Sequence, residues 1–190
     1  MPSKKNLFLP FFIIALMVFS TFGVIIGSFS NNNVQNDEIV VYNGYEFTFD
    51  GTSWYTFKDK ERIESFFKPD LLNAIDITSL YNKLFNHEKI YLTVEPDIGL
   101  GEETQFFKSL LGSITGHSVV IACPQEDTTC TNLPLKDCPD AVPDEILVIK
   151  LLNGSNMIQE EQSCVAVLGD SQYIRIIIEK IRLEYLLHGQ

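Results

Sequence analysis

The sequence predicts an α+β domain carried behind a single N-terminal transmembrane helix. Three observations predict it. Leu7 to Gly27 is a run of 21 residues without a charged side chain. Asn43-Gly44 and Asp50-Gly51 punctuate a stretch rich in β-branched and aromatic residues, the mark of hairpins. Between Lys89 and Cys123, strand, helix and strand patterns follow one another, the mark of a βαβ unit. Of 190 residues, 45% are hydrophobic and 21% charged, which excludes wholesale disorder.

The N-terminal segment comes first. At about 1.5 Å per residue, a helix over residues 7–27 spans roughly 30 Å, the thickness of a hydrocarbon core. Pro10 lies near its start, where a missing N–H costs least. Lys4 and Lys5 precede the run, and Asp37 and Glu38 follow it. The positive-inside rule then makes residues 1–6 a cytoplasmic stub and residues 38–190 an extracytoplasmic domain. Residues 28–37, SFSNNNVQND, form a polar, flexible tether. The rival reading is a signal peptide cleaved near Ser30, since Ser28-Phe29-Ser30 is an acceptable small-x-small site. Gly23 and Gly27 make a small-xxx-small pair that suits helix packing in the bilayer, although two lipid-facing glycines fit equally well.

The domain opens on a three-stranded antiparallel meander over about 39–42, 45–49 and 52–57, with Tyr45, Phe47 and Phe49 on one face. Trp54, the only tryptophan, reads as a sheet-packing residue, with a ligand-stacking platform as the alternative. Residues 58–67 suggest a short helix with Ile63, Phe66 and Phe67 on one side, ended at Lys68-Pro69. A short strand is expected near residues 74–77, then a helix capped by Thr78 or Ser79 and running to about Asn86. Lys89 to Glu95 is a strand stopped by Pro96, residues 102–114 an amphipathic helix, and His117 to Cys123 a second strand. Those two strands should be parallel, with a right-handed crossover.

A loop of about 20 residues follows Cys123 and carries Cys130, Cys138 and four prolines. A loop that long needs staples. Residues 146–152, nearly all apolar, should be a central strand, with residues 153–162 returning the chain to a buried strand over 163–168. Asp170 or Ser171 caps a last helix to about Leu187, with Ile174, Ile177, Ile178, Ile181 and Tyr185 as its apolar face. Arg175–Glu179 and Lys180–Glu184 stand at i,i+4 on its opposite face.

The chemistry-bearing residues are sparse. Cys123, Cys130, Cys138 and Cys164 contain no CxxC, which removes the thioredoxin motif and the zinc-ribbon spacing. Outside the membrane they read as structural disulfides. If 146–152 and 163–168 are antiparallel, Cys123 and Cys164 share one edge of the sheet, which favours Cys123–Cys164 with Cys130–Cys138. The other pairing considered is Cys123–Cys130 with Cys138–Cys164. Asn153-Gly154-Ser155 is the only N-glycosylation sequon. His87, His117 and His188 are too scattered for a site and read as surface or capping residues. Gly169-Asp170-Ser171 has the look of a hydrolase nucleophile block, but only His188 follows it, so helix capping is preferred. Gly99-Leu100-Gly101 lacks a phosphate-loop lysine and is followed by Glu102-Glu103, which repel phosphate. The acids Glu95, Asp97, Glu102 and Glu103 match no EF-hand and read as solvated surface. No cofactor or metal is implied.

Two stretches carry a resemblance. KKN, then FFIIALMVFSTFGVIIG, an Asn-rich spacer and VVYNGYEF, resembles small, uncharacterised single-pass membrane proteins of archaea. The ending CVAVLGDSQYIRIIIEKIRLEYLLHG is similar to theirs, in which a Cys-initiated strand, a glycine and a helix close the chain. The resemblance covers about a third of the sequence. It implies a location, supplies no activity and transfers no functional residue.

Charge adds a further exclusion. The net −11 divides into +2 before the apolar run and, with 12 basic against 25 acidic residues from Asn31 onward, −13 after it. An acidic domain is a poor partner for nucleic acid, whose phosphates need a basic face. The expected function is therefore a membrane-anchored binding or structural module of the cell envelope. Its partners would be the bilayer through residues 7–27 and either an envelope protein or a second copy. The alternative is a membrane-tethered hydrolase or thiol enzyme.

Overall fold

The computed structural model describes residues 38–94, 101–126, 130 and 132–189. The stub, the apolar run with Gly23 and Gly27, the tether and Ser30 lie outside the described residues, as do Glu95, Asp97 and Gly99. Among the described residues no helix is long and apolar enough to cross a membrane.

The first sheet is an antiparallel meander of four strands in sequence order, β1 (Ile39–Tyr42), β2 (Tyr45–Phe49), β3 (Trp54–Lys58) and β4 (Glu61–Ser65). Asn43 and Gly44 both have positive φ, 49° and 83°, as the two-residue hairpin turn requires. Asp50 shapes the next turn differently: its carboxylate accepts from Thr52 N and Ser53 N, both at 3.0 Å. β4 corrects the short helix expected over 58–67. Asp59 and Lys60 take φ of 52° and 74°, a hairpin turn made without glycine, and Glu61 pairs back onto Lys58. In β4 only Ile63 and Ser65 are buried, a period-2 pattern that also satisfies helical spacing over so short a run. Val40, Tyr42, Phe47, Trp54 and Ile63 form the buried face, so Trp54 is a packing residue. Helix α1 (Pro69–Asn73), with proline at its first turn, adds Leu72 to that core, and residues 74–77, expected as a short strand, form a turn and an irregular link to the next helix.

The second sheet has the order β6-β5-β7-β9-β8. Helix α2 (Thr78–Asn86) leads into β5 (Lys89–Val94), helix α3 (Gly101–Thr115) and β6 (Ser118–Ala122). β5 and β6 are parallel, as the βαβ reading requires. β7 (Ile146–Leu152) is central, parallel to β5 on one side and to β9 (Cys164–Leu168) on the other. The antiparallel pairing expected for β7 and β9 is wrong, because a further strand, β8 (Met157–Glu161), intervenes. It reverses the chain and pairs antiparallel to β9 at the sheet edge. Its MIQEE sequence is mostly exposed and has no buried alternation to announce it.

That topology decides the disulfides. In a parallel set, Cys164 at the start of β9 lies at the edge where β7 begins, whereas Cys123 follows the end of β6 at the opposite edge. The pairs are Cys123–Cys130 and Cys138–Cys164, with Cα separations of 6.1 and 5.2 Å. The favoured pairing, Cys123–Cys164 with Cys130–Cys138, is thus overturned by the direction of one strand. The long loop folds back on the sheet: Cys123 N donates to Pro134 O at 2.9 Å and Lys136 N to Cys123 O at 2.8 Å. A 3-10 turn at Cys138–Asp140, capped by Asp137, sits beside Tyr91, Ala122 and Val148 on one sheet face.

The other face of that sheet carries the main core, with Leu80 and Leu84 from α2, Phe107 and Leu111 from α3, and four isoleucines from helix α4 (Ser171–His188). α4 lies between the two sheets. Ile174, Ile177, Ile178 and Ile181 face the second sheet, while Leu183 and Leu187 join the core of the meander. The middle of its supposed solvent face is therefore buried: Glu179 is 6% and Lys180 8% exposed, while Arg175 stays exposed. The i,i+4 pairs expected there do not form. Arg175 pairs with Glu103, Glu179 with Arg182 at 2.7 Å, and Lys180 donates to the carbonyls of Leu72 (2.7 Å) and Ile75.

Candidate functional site

Three concavities among the described residues bear on function. One, of about 430 Å³, lies beyond the end of β4, between Phe66 and Phe67, the first turns of α3 and the middle of α4. Phe66 and Phe106 are 77% and 55% exposed on its walls, and Ile178 forms part of its lining. Its lining carries three carboxylates, Glu102, Glu103 and Glu179, against the guanidiniums of Arg175 and Arg182, and four of these five charges pair. Glu103 pairs with Arg175, and its carboxyl is held below the usual range by its own backbone N–H and then by that guanidinium. Arg182 forks onto Glu179 at 2.7 and 2.9 Å and also donates to the Glu64 carbonyl. The result is an apolar groove rimmed by paired ions. It can take an apolar side chain, and it presents no nucleophile beside a base.

A polar pocket of about 290 Å³ lies where the β1–β2 turn meets α2 and α4. Asn43, Thr78, Tyr81, Asn82, Lys180 and Glu184 line it. Glu184 Oε1 accepts from Tyr42 Oη at 2.6 Å and from Asn43 Nδ2 at 2.7 Å. Burial pushes the Lys180 ammonium below the ordinary lysine range, and burial first, then Glu184, raises Tyr42.

A third hollow, about 260 Å³, is lined by Cys138, Cys164, Glu161 and Ser163. Behind it stands a pair that sequence reasoning missed. His87 is 5% exposed and caps α2, its Nδ1 donating to Lys83 O at 2.8 Å. A carbonyl can only accept, so in the neutral ring Nε2 is the acceptor, and Ser163 Oγ donates to it at 3.0 Å. The arrangement has the hydrogen bonds of a nucleophile and base, but both residues are buried and every bond is explained by joining the end of α2 to the β8–β9 turn. Their sequence separation of 76 left no local motif to find.

The remaining expected sites scatter. All four cysteines are in disulfides. Asn153 is exposed in the turn between β7 and β8. Asp170 caps α4, accepting from Tyr173 N at 2.8 Å, and His188 sits at the far end of the same 18-residue helix, so Gly169-Asp170-Ser171 is a capping sequence. Among the described residues no group of three His, Cys, Asp or Glu side chains stands close enough to hold a metal ion.

Fold and cavities define a disulfide-stapled α+β domain in which two sheets share one helix. No family model, curated protein or solved structure matches the chain.

Proposed function

We propose that the chain is a membrane-anchored, extracytoplasmic binding module of the cell envelope. Residues 7–27 lie in the bilayer, residues 1–6 in the cytoplasm, and the domain outside. The uncharged run, the flanking lysines and the two disulfides support the location. One observation carries the binding role: the apolar groove with Phe66 and Phe106 exposed on its walls. Exposed aromatics around a concavity are the usual anchors of a protein interface. The groove accepts an apolar side chain of an envelope protein, while the rim ion pairs exclude water and set register.

The test uses the full chain in its own membrane, with a photo-crosslinking phenylalanine analogue at position 66, 106 or 57. Phe57 is 59% exposed and absent from the groove lining, so it serves as the control. A discrete adduct from 66 and 106 but not 57 is expected. No adduct, or equal labelling at all three, overturns the reading. Retention of the chain in alkali-washed membranes tests the anchor, and a mature N-terminus near Ser30 would replace it with a secreted form. The thiol-enzyme alternative predicts rapid alkylation of one cysteine in unreduced protein; the binding module predicts none.

A further inference from the structure

The polar pocket has properties that the groove lacks. Lys180 and Glu184 face it from α4, so its wall holds one cation and one anion and is neutral overall. Their own contacts are largely satisfied: Lys180 by the Leu72 and Ile75 carbonyls, Glu184 by Tyr42 and Asn43. The groups beside them are not. Among the described residues the Asn82 amide and the Tyr81 hydroxyl have no hydrogen-bond partner, and Asn43 uses only its Nδ2, leaving its amide oxygen to accept. The Thr78 hydroxyl is already engaged by the Asp76 carboxylate. Tyr81 adds an aromatic ring, packed against Phe85 at a centroid distance of 5.0 Å.

We infer that this pocket binds one unit of a neutral saccharide. A side-chain amide offers a planar donor and acceptor side by side, which matches two neighbouring hydroxyls of a sugar. Hydroxyls both give and take hydrogen bonds, as this mixed wall requires. The tyrosine ring suits the C–H side of the same ring. At about 290 Å³ the pocket is just below the usual size of pockets for drug-sized ligands, which suits a single small unit. An anion meets Glu184, and an apolar ligand would strand the amides without partners. Lys180 is 8% exposed, so its part of the wall is withdrawn from water, where polar contacts gain strength. The site is independent of the anchor and of the apolar groove.

The experiment uses the full chain, unreduced, in nanodiscs, with saturation-transfer NMR against single probes. The panel is mannose, galactose, glucose and N-acetylglucosamine, with glycine betaine and inorganic phosphate as competitors in class. Transfer to at least one sugar is expected. Asn82→Ala should weaken it about five- to tenfold, as the loss of one or two hydrogen bonds implies. Asn82 is exposed on α2, and an unchanged melting temperature confirms that the fold survives. Phe66→Ala, in the groove, should leave sugar binding unaltered. Absence of transfer to every sugar, equal binding by the Asn82 variant, or binding of only betaine or phosphate overturns the inference.

Discussion

At the scale of single residues, buried polar groups were the least legible feature. Glu179 and Lys180 read as half of two surface ion pairs, because spacing along a helix cannot show that a second sheet covers that side. His87 was legible as a cap but not as a buried one, since its second partner, Ser163, comes from another element. Ser163→Ala leaves Nε2 of a buried imidazole without its donor and should cost about 1–3 kcal/mol. Urea denaturation measures that loss, and an unchanged midpoint would mean that water reaches the ring. At Gly169 close packing leaves no room for a side chain. A Cβ there would stand 2.9 Å from Cβ of Tyr173, on the first turn of α4. Gly169→Ala should therefore destabilise by about 1–3 kcal/mol, visible as a lower melting temperature, whereas Gly154→Ala, with only the flexible Leu168 side chain nearby at 3.3 Å, should cost less.

At the scale of elements, strong local signals succeeded and weak ones failed. Asn43-Gly44 gave a hairpin because both residues tolerate the backbone the turn needs, and residues 146–152 gave a central strand because both its faces are buried. β4 and β8 failed for opposite reasons. β4 has few enough buried positions to fit two periods, and β8 is an edge strand with almost none. Missing β8 reversed β9 and carried the error into the disulfides. The observed pairs close separations of 7 and 26 residues. On the chain-entropy account the shorter contributes about 2.4 kcal/mol and the longer about 3.5. Replacing Cys138 and Cys164 together by alanine should thus lower stability more than replacing Cys123 and Cys130. It also frees the 3-10 turn that covers Tyr91 and Val148. The reverse order in paired thermal melts would show that the Cys123–Cys130 loop, with its hydrogen bonds to Pro134 and Lys136, dominates.

At the scale of the molecule, an acidic domain is held together partly by its own carboxylates. Asp137 is a clear case. Burial alone would raise it, but the Lys150 ammonium at 2.6 Å and the Cys138 N–H outweigh that and hold it below its ordinary 3.8. Asp140, through the Asp137 N–H and Lys136, and Glu160, where Lys83 and Ser79 outweigh burial, are lowered as well. A depressed carboxylate contributes stability that is complete above its unfolded value. That stability is lost as pH falls through the folded value. The domain should therefore keep its urea midpoint from neutral pH down to about 4.5 and lose it progressively below, with Lys150→Met reducing the acid-side slope. A midpoint that stays flat to about pH 2.5 would contradict this.

The sequence by itself determined the α+β class, the hairpin-led first sheet, the βαβ unit, the central strand and the last helix. Each of these is encoded within a few residues by periodicity, turn chemistry or capping. Only the tertiary structure decided what those elements do to one another. It placed the last helix between two sheets, set the direction of β9 and hence the disulfides, and joined His87 to Ser163. It also brought Asn43, Asn82 and Glu184 around one pocket. The physical reason is that local preferences fix conformation over a few residues. Burial and pairing between distant segments depend on which surfaces meet, and no single stretch of sequence contains that information.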